Sequence, residues 1–199
     1  PFNCTMMGSL RGALDYHGIS ASDAFLYGAS GHAFVLNIHD ELCPSGPYCW
    51  DRRRVAQLLE NVGLYLEPLG FFHAGSTPDE RSAAESRLRE GLAAGIPCML
   101  TNMEFQLITG VDDTGFSTAQ PWACTDFPPS HLTFGTWDEL GDGIHMDFHV
   151  LHRCEPAEPR EAVLDGLRYA VELWRTPAAG DSHYGMGPNG YANWRGAVE

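Results

Sequence analysis

Cys4 lies in the stretch Asn3-Cys4-Thr5-Met6-Met7-Gly8-Ser9-Leu10, where a loop turns into an amphipathic helix. Met6, Met7, Leu10, Ala13 and Leu14 recur at helical spacing. Asn3 reads as the N-cap, which makes Cys4 the first helical residue. A thiol at that position meets the positive end of the helix dipole and open backbone N–H groups. Both favour the thiolate, and the chemistry this offers is nucleophilic attack. The competing reading is a buried helix-start cysteine, because cysteine is among the most buried residue types.

A second candidate set lies on strands. In Glu104-Phe105-Gln106-Leu107-Ile108, alternation puts Glu104, Gln106 and Ile108 on one face and Phe105 and Leu107 on the other. Ile144-His145-Met146-Asp147-Phe148-His149-Val150 alternates in the same way, with His145, Asp147 and His149 sharing a face. A His-x-His pair on a strand can chelate zinc, and a carboxylate can join it. The favoured reading of these three is the solvated outer face of an antiparallel sheet. No metal and no cofactor is assigned.

The elements that must position these groups follow from spacing and punctuation. Helix one runs from about Cys4 to Tyr16 and stops at Gly18. Ser20 or Ser22 caps a short second helix through Phe25 and Leu26, broken by Gly28, Ser30 and Gly31. Ala33 to Ile38 reads as a buried strand. Asp51 opens a helix through Val55, Leu58, Leu59 and Val62, ended by Gly63. Leu64 to Leu66 is a short strand. Thr77-Pro78-Asp79-Glu80 starts a helix that reaches about Ala93. Strands follow at Pro97–Asn102, Phe105–Val111 and Phe116–Ala119, with Asp112-Asp113-Thr114-Gly115 as the turn before the third. Two more strands, Leu132–Phe134 and Ile144–Leu151, flank a helical turn around Trp137 to Leu140. A helix over Glu158–Trp174 and a short one holding Tyr191 and Trp194 complete the chain. Helices first and an antiparallel sheet after them is an α+β order. The expected division is a core domain over residues 1–155 and a C-terminal helical extension over 156–199 packed on that core.

The 199 residues suffice for one domain with a sizeable core. The net charge is −14, and all 12 basic residues are arginine. That balance argues against nucleic acid and anionic membrane as partners. The absence of lysine removes Schiff-base chemistry and a P-loop lysine. No apolar run is long enough to span a membrane. Pro1-Phe2-Asn3 lacks the basic and apolar regions of a signal peptide. The six cysteines, at 4, 43, 49, 98, 124 and 154, are therefore expected as mostly reduced thiols of a cytoplasmic protein. Cys43 and Cys49 bracket a Pro/Gly loop and are the pair spaced for a local disulfide. Ser45 to Trp50 reads as a loop that shapes a pocket, or equally as a packed turn.

The order of these segments resembles the papain-like cysteine peptidase superfamily. That order is a helix-borne cysteine, Gly95-Ile96-Pro97, a strand, a strand ending in Thr109-Gly110-Val111-Asp112-Asp113, a turn, and a strand ending in Pro121-Trp122. The closer likeness is to bacteriocin-processing peptidase domains and to the N-terminal domain of the butirosin-biosynthesis acyltransferase. Asn3-Cys4 through His17-Gly18-Ile19, Asp23 to Gly31, and Gly190 to Trp194 look like the latter. The resemblance implies an N-terminal helix carrying Cys4 packed on an antiparallel sheet. It also implies a histidine at the position held here by Glu104, and an aspartate at the position held by Gln120.

The implied trio is thus Cys4, Glu104 and Gln120. Imidazole activates cysteine by taking its proton and pairing with the thiolate, whereas glutamate repels a thiolate. The substitute base is His32, which the resemblance runs near the cysteine, or Glu104 acting as a general base with a raised pKa in an apolar site; the competing reading of His32 is a satisfied half-buried histidine beside a glycine turn. Asn3, Trp50 and Trp122 are the expected substrate-binding residues. The leading expectation is cysteine-dependent acyl transfer, or amide or thioester hydrolysis, on a small molecule or short peptidyl group. The alternative is a catalytically inactive papain-like domain that binds a small polar ligand. An oligomer is compatible with either.

Overall fold

The computed structural model describes residues 4–44, 51–73, 75–102, 104–119, 129–135, 146–175 and 183–199. In chain order the elements are α1 (Thr5–Tyr16), α2 (Asp23–Ala29), β1 (Asn37–His39), α3 (Arg53–Leu58), β2 (Leu64–Phe72) and α4 (Pro78–Ala93). Then come β3 (Cys98–Asn102), β4 (Glu104–Val111), β5 (Gly115–Thr118), β6 (His131–Thr133), β7 (Met146–Arg153), α5 (Pro159–Arg175), β8 (Tyr184–Met186) and α6 (Pro188–Val198). This is an α+β protein, and the pairings β1–β8, β3–β4, β3–β7, β4–β5 and β5–β6 are antiparallel. Among the described residues no helix is long and apolar enough to cross a membrane.

The chain divides into two compact units. The first joins Pro1–Ile19 to Leu66–Arg153, and the second joins Ser20–Tyr65 to Cys154–Glu199. The C-terminal helices therefore share their unit with an early segment of the chain.

The first unit is built on a six-stranded sheet in the order β2-β7-β3-β4-β5-β6. β2 lies at an edge of the sheet, the position at which a strand tolerates a proline such as Pro68. β3 is central, and all five of its residues are buried. The registers Leu100↔Gln106 and Leu100↔Phe148 put Gln106, Leu100 and Phe148 on one face. That face carries the apolar core with Ala84 and Leu88 of α4, together with Phe72, Ile108 and Phe116. A fully buried side chain such as Phe148 contributes about 1.5–3 kcal/mol of transfer free energy. α1 lies against β4, and a Cβ on Gly12 would stand 2.8 Å from Leu107 Cδ1.

Local chemistry sets the element ends. Thr77 and Glu80 form a reciprocal capping box, with Glu80 N–H donating to Thr77 Oγ1 at 3.3 Å and Thr77 N–H to Glu80 Oε2 at 2.8 Å. Asp112 Oδ1 accepts from Thr114 N–H at 2.7 Å and Gly115 N–H at 3.0 Å, closing the β4–β5 turn. Its carboxyl is held down to about 2, first by the Thr114 hydroxyl and then by those amides.

In the second unit β1 and β8 form a two-stranded antiparallel ribbon, Asn37↔Met186 through His39↔Tyr184. Ser22 Oγ accepts from Phe25 N–H at 3.1 Å and caps α2, which continues past Gly28 to Ala29. The expected helix from Asp51 is α3 followed by a 3-10 turn over Leu59–Val62, closed by Gly63 at φ +91°. α2 and α5 approach closely, and a Cβ on Gly166 would stand 2.0 Å from the Gly28 carbonyl oxygen.

Two expectations change. Ala33 to Ile38 is not one buried strand. Gly31, at φ +74°, opens a 3-10 turn over His32–Phe34, and the strand covers Asn37–His39 alone. A short apolar run does not distinguish a strand from a packed turn. β8 arises inside a Gly/Pro/Asn-rich stretch, where composition predicts loop. The turn expected around Trp137 to Leu140 lies outside the described residues, as does Cys49.

Candidate functional site

Cys4 is the N-cap of α1, and the first helical residue is Thr5. The cap residue keeps an extended backbone, at φ −117° and ψ 116°. Its side chain is half-buried. Thr5 is the residue that joins helix to sheet. Its hydroxyl donates to Glu104 Oε2 at 2.6 Å and accepts from Phe105 N–H at 3.1 Å. Glu104, half-buried at the first position of β4, is thereby placed beside the start of α1. The fold brings Cys4 and Glu104 together, although they lie far apart in sequence.

The electrostatics correct the expected thiolate. Burial pushes the Cys4 thiol above its ordinary value, and the neighbouring Glu104 carboxylate adds to the rise. The backbone N–H groups of Met7 and Met6 pull the other way. The helix start therefore acts on Cys4 as its position predicts, but removal from water outweighs it. Position along a chain reveals a helix dipole and does not reveal how much water the fold excludes.

Behind Glu104 on the same face, Gln106 is buried. Its Nε2 donates to Thr118 Oγ1 at 2.9 Å, Pro129 O at 3.1 Å and Ala119 O at 3.2 Å. Thr118 Oγ1 in turn donates to Pro129 O at 2.8 Å. This network fixes the end of β5 and the chain entering β6 alongside the Glu104 end of β4. The alternation placed Gln106 on this face, but only the register of β4 and β5 supplied its partners.

Asp147 and His149 are half-buried on β7, opposite Thr101 and Met99 of β3. The face they share is not a solvated one. Met99 and Thr101 are buried, and Asp147 Oδ1 and His149 Nδ1 are themselves shielded from solvent. The alternation was read in the right phase, but β3 and its neighbours are covered on both sides. His145 lies outside the described residues, as do Asn3, Trp50, Gln120 and Trp122.

His32 belongs to the second unit, in the 3-10 turn after Gly31. Burial lowers its imidazole to about 4, so it is neutral near pH 7. Its ring meets Tyr27 edge-on, with centroids 5.6 Å apart.

Two further clusters were not legible in the sequence. Glu67 on β2 accepts from Arg87 Nε at 2.8 Å and Nη2 at 2.6 Å, and pairs with His152 Nε2 at 2.6 Å. Those partners, Arg87 first, hold its carboxyl down to about 2. In the second unit His39, Asp40 and His183 converge on the β1–β8 ribbon. A cleft of about 490 Å³, lined by Gly12, Tyr16, Arg89, Ile96, Leu107 and Val111, opens toward the other end of α1. Gly12 is eight residues from Cys4, about 12 Å along a helix, so this cleft is not the Cys4 site.

No family model and no curated protein matches this chain.

Proposed function

We propose that the Cys4–Glu104 cluster is the ligand site of a papain-like domain that binds a small molecule bearing amine or hydroxyl groups. In this reading the site does not run thiolate chemistry. The observation that carries it is the Glu104 carboxylate beside a thiol that burial keeps protonated. A carboxylate is an acceptor-only group, and an ammonium or hydroxyl group is the kind of donor it recognises. The family resemblance implies Gln120 and Trp122 as further residues of that site.

A second reading is favoured by one observation, the Met6 and Met7 N–H groups that act on Cys4. It is cysteine-dependent acyl transfer, or amide or thioester hydrolysis. Glu104 would take the thiol proton, and Cys4 Sγ would attack the acyl carbon. The leaving amine or thiol would carry the proton away, and water or an acceptor would then take the acyl group.

The pH profile of Cys4 alkylation by iodoacetamide, read by peptide mass spectrometry, separates the two. The binding reading expects an apparent pKa above the unperturbed ~8.5, falling in Glu104→Gln as the repelling charge is removed. A wild-type value clearly below ~8.5 sinks the binding reading and supports an activated nucleophile.

A further inference from the structure

The β1–β8 ribbon of the second unit places three metal-ligating side chains at one point. His39 Nδ1 lies 3.2 Å from Asp40 Oδ1, and His183 Nδ1 lies 3.0 Å from Asp40 Oδ2. One ligand atom from each of the three lies within 4.8 Å of the other two. Two ligands on one tetrahedral zinc ion stand about 3.3 Å apart, given metal–ligand bonds of ~2.0–2.2 Å. Each histidine is therefore at coordination spacing from one Asp40 oxygen, His39 from Oδ1 and His183 from Oδ2. The third edge closes by rotation of His183, whose side chain is 61% exposed.

The scaffold under the cluster is tied down. Asp40 N–H donates to His183 O at 3.0 Å, and Asn193 Nδ2 donates to Ile38 O at 2.8 Å and to His183 O at 3.3 Å. The rings of His39 and His183 stack with centroids 5.5 Å apart, and Tyr184 meets His39 edge-on at 4.8 Å.

His39 Nδ1 also accepts from the backbone N–H of Glu41 at 3.0 Å, which fixes the ring.

We propose that His39, Asp40 and His183 form a binding site for a divalent first-row metal ion of the zinc class. Two imidazoles and one carboxylate suit such an ion better than calcium or magnesium, which prefer all-oxygen shells. The metal takes the Nδ1 lone pair of His39, and the exposed Glu41 N–H passes to water. Three protein ligands leave a coordination position for water, and the ion links chain segments 143 residues apart.

The test is calorimetric titration of the chelator-treated full chain with zinc chloride at pH 7.5, repeated with His183→Ala and Asp40→Asn. Cobalt(II) absorption spectra accompany it. The expected result is one site per chain, with a rise in Tm on zinc addition. Each variant should bind at least about tenfold more weakly. His183 is exposed and Asn matches Asp in shape, so both variants keep the fold. Absence of zinc binding overturns the proposal. So does unchanged affinity in both variants, or a cobalt–thiolate charge-transfer band, which would place the metal on cysteine.

Discussion

The start of β4 in the first unit and the β1–β8 ribbon in the second place their polar groups in different surroundings. The first unit embeds Thr5, Thr101, Asn102, Gln106 and Thr118 in or beside a two-sided sheet, and all five are buried. The second unit packs its helices through glycine and leaves polar groups on a surface ribbon. Asp40 is exposed there, and hydrogen bonding to His183, not burial, holds its carboxyl below the usual range. Cys4 in the first unit moves for the reverse reason, because loss of water is the largest effect on it. Neighbours tune Asp40 on the ribbon, as they tune Glu67 on β2, and exclusion of solvent tunes Cys4 in the first unit and His32 in the second. The same residue type at the same charge would titrate differently in the two places.

The largest expected effect tests the packing side of that contrast. Gly166→Ala puts a methyl 2.0 Å from the Gly28 carbonyl oxygen, where only backbone movement relieves the clash. It should cost about 3 kcal/mol or more, read as a lowered denaturant midpoint. The same change at Gly28, where nothing lies within 4 Å of a built Cβ, is the control.

Gln106→Leu comes next and tests the polar side. It removes the amide donor shared by Thr118 Oγ1, Ala119 O and Pro129 O, of which Pro129 O keeps the Thr118 hydroxyl. A loss of about 2–3 kcal/mol is expected, at ~1–3 kcal/mol per buried group left unsatisfied. If urea unfolding shows less than half of this, the sheet end is wetter than its burial indicates.

Glu67→Gln is smaller, about 1–2 kcal/mol, because the pair with Arg87 is partly exposed and screened. Its signature is the pH dependence. The folded carboxyl sits near 2 against an ordinary value of 4.5. A depressed carboxyl contributes stability that is present above the unfolded value and lost as pH falls toward the folded one. Wild type should therefore lose more stability than Glu67→Gln between about pH 4.5 and 2. Equal acid sensitivity in thermal melts would remove Glu67 as a source of it.

Much of the fold was legible because the signals are local. Thr77 and Glu80 satisfy each other across three residues, Ser22 caps Phe25, and Asp112 closes its own turn. The strand phases of β4 and β7 followed from alternation alone. What escaped depends on residues distant in sequence. Ala33 to Ile38 carries a strand-like composition, yet Gly31 turns the chain and packs near Leu58 and Tyr169. The Thr5–Glu104 bond spans 99 residues, and Asp40 meets His183 across 143.

The sequence by itself determined where helices start, where turns close, which strand residues share a face, and that Cys4 stands at a helix start. Each of these is settled by interactions within a few residues. Only the tertiary structure decided that Glu104 lies beside Cys4, that burial overrides the helix dipole at that thiol, and that two histidines and an aspartate meet on one ribbon. Burial and convergence are properties of what surrounds a residue in space, and the surroundings are supplied by distant parts of the chain.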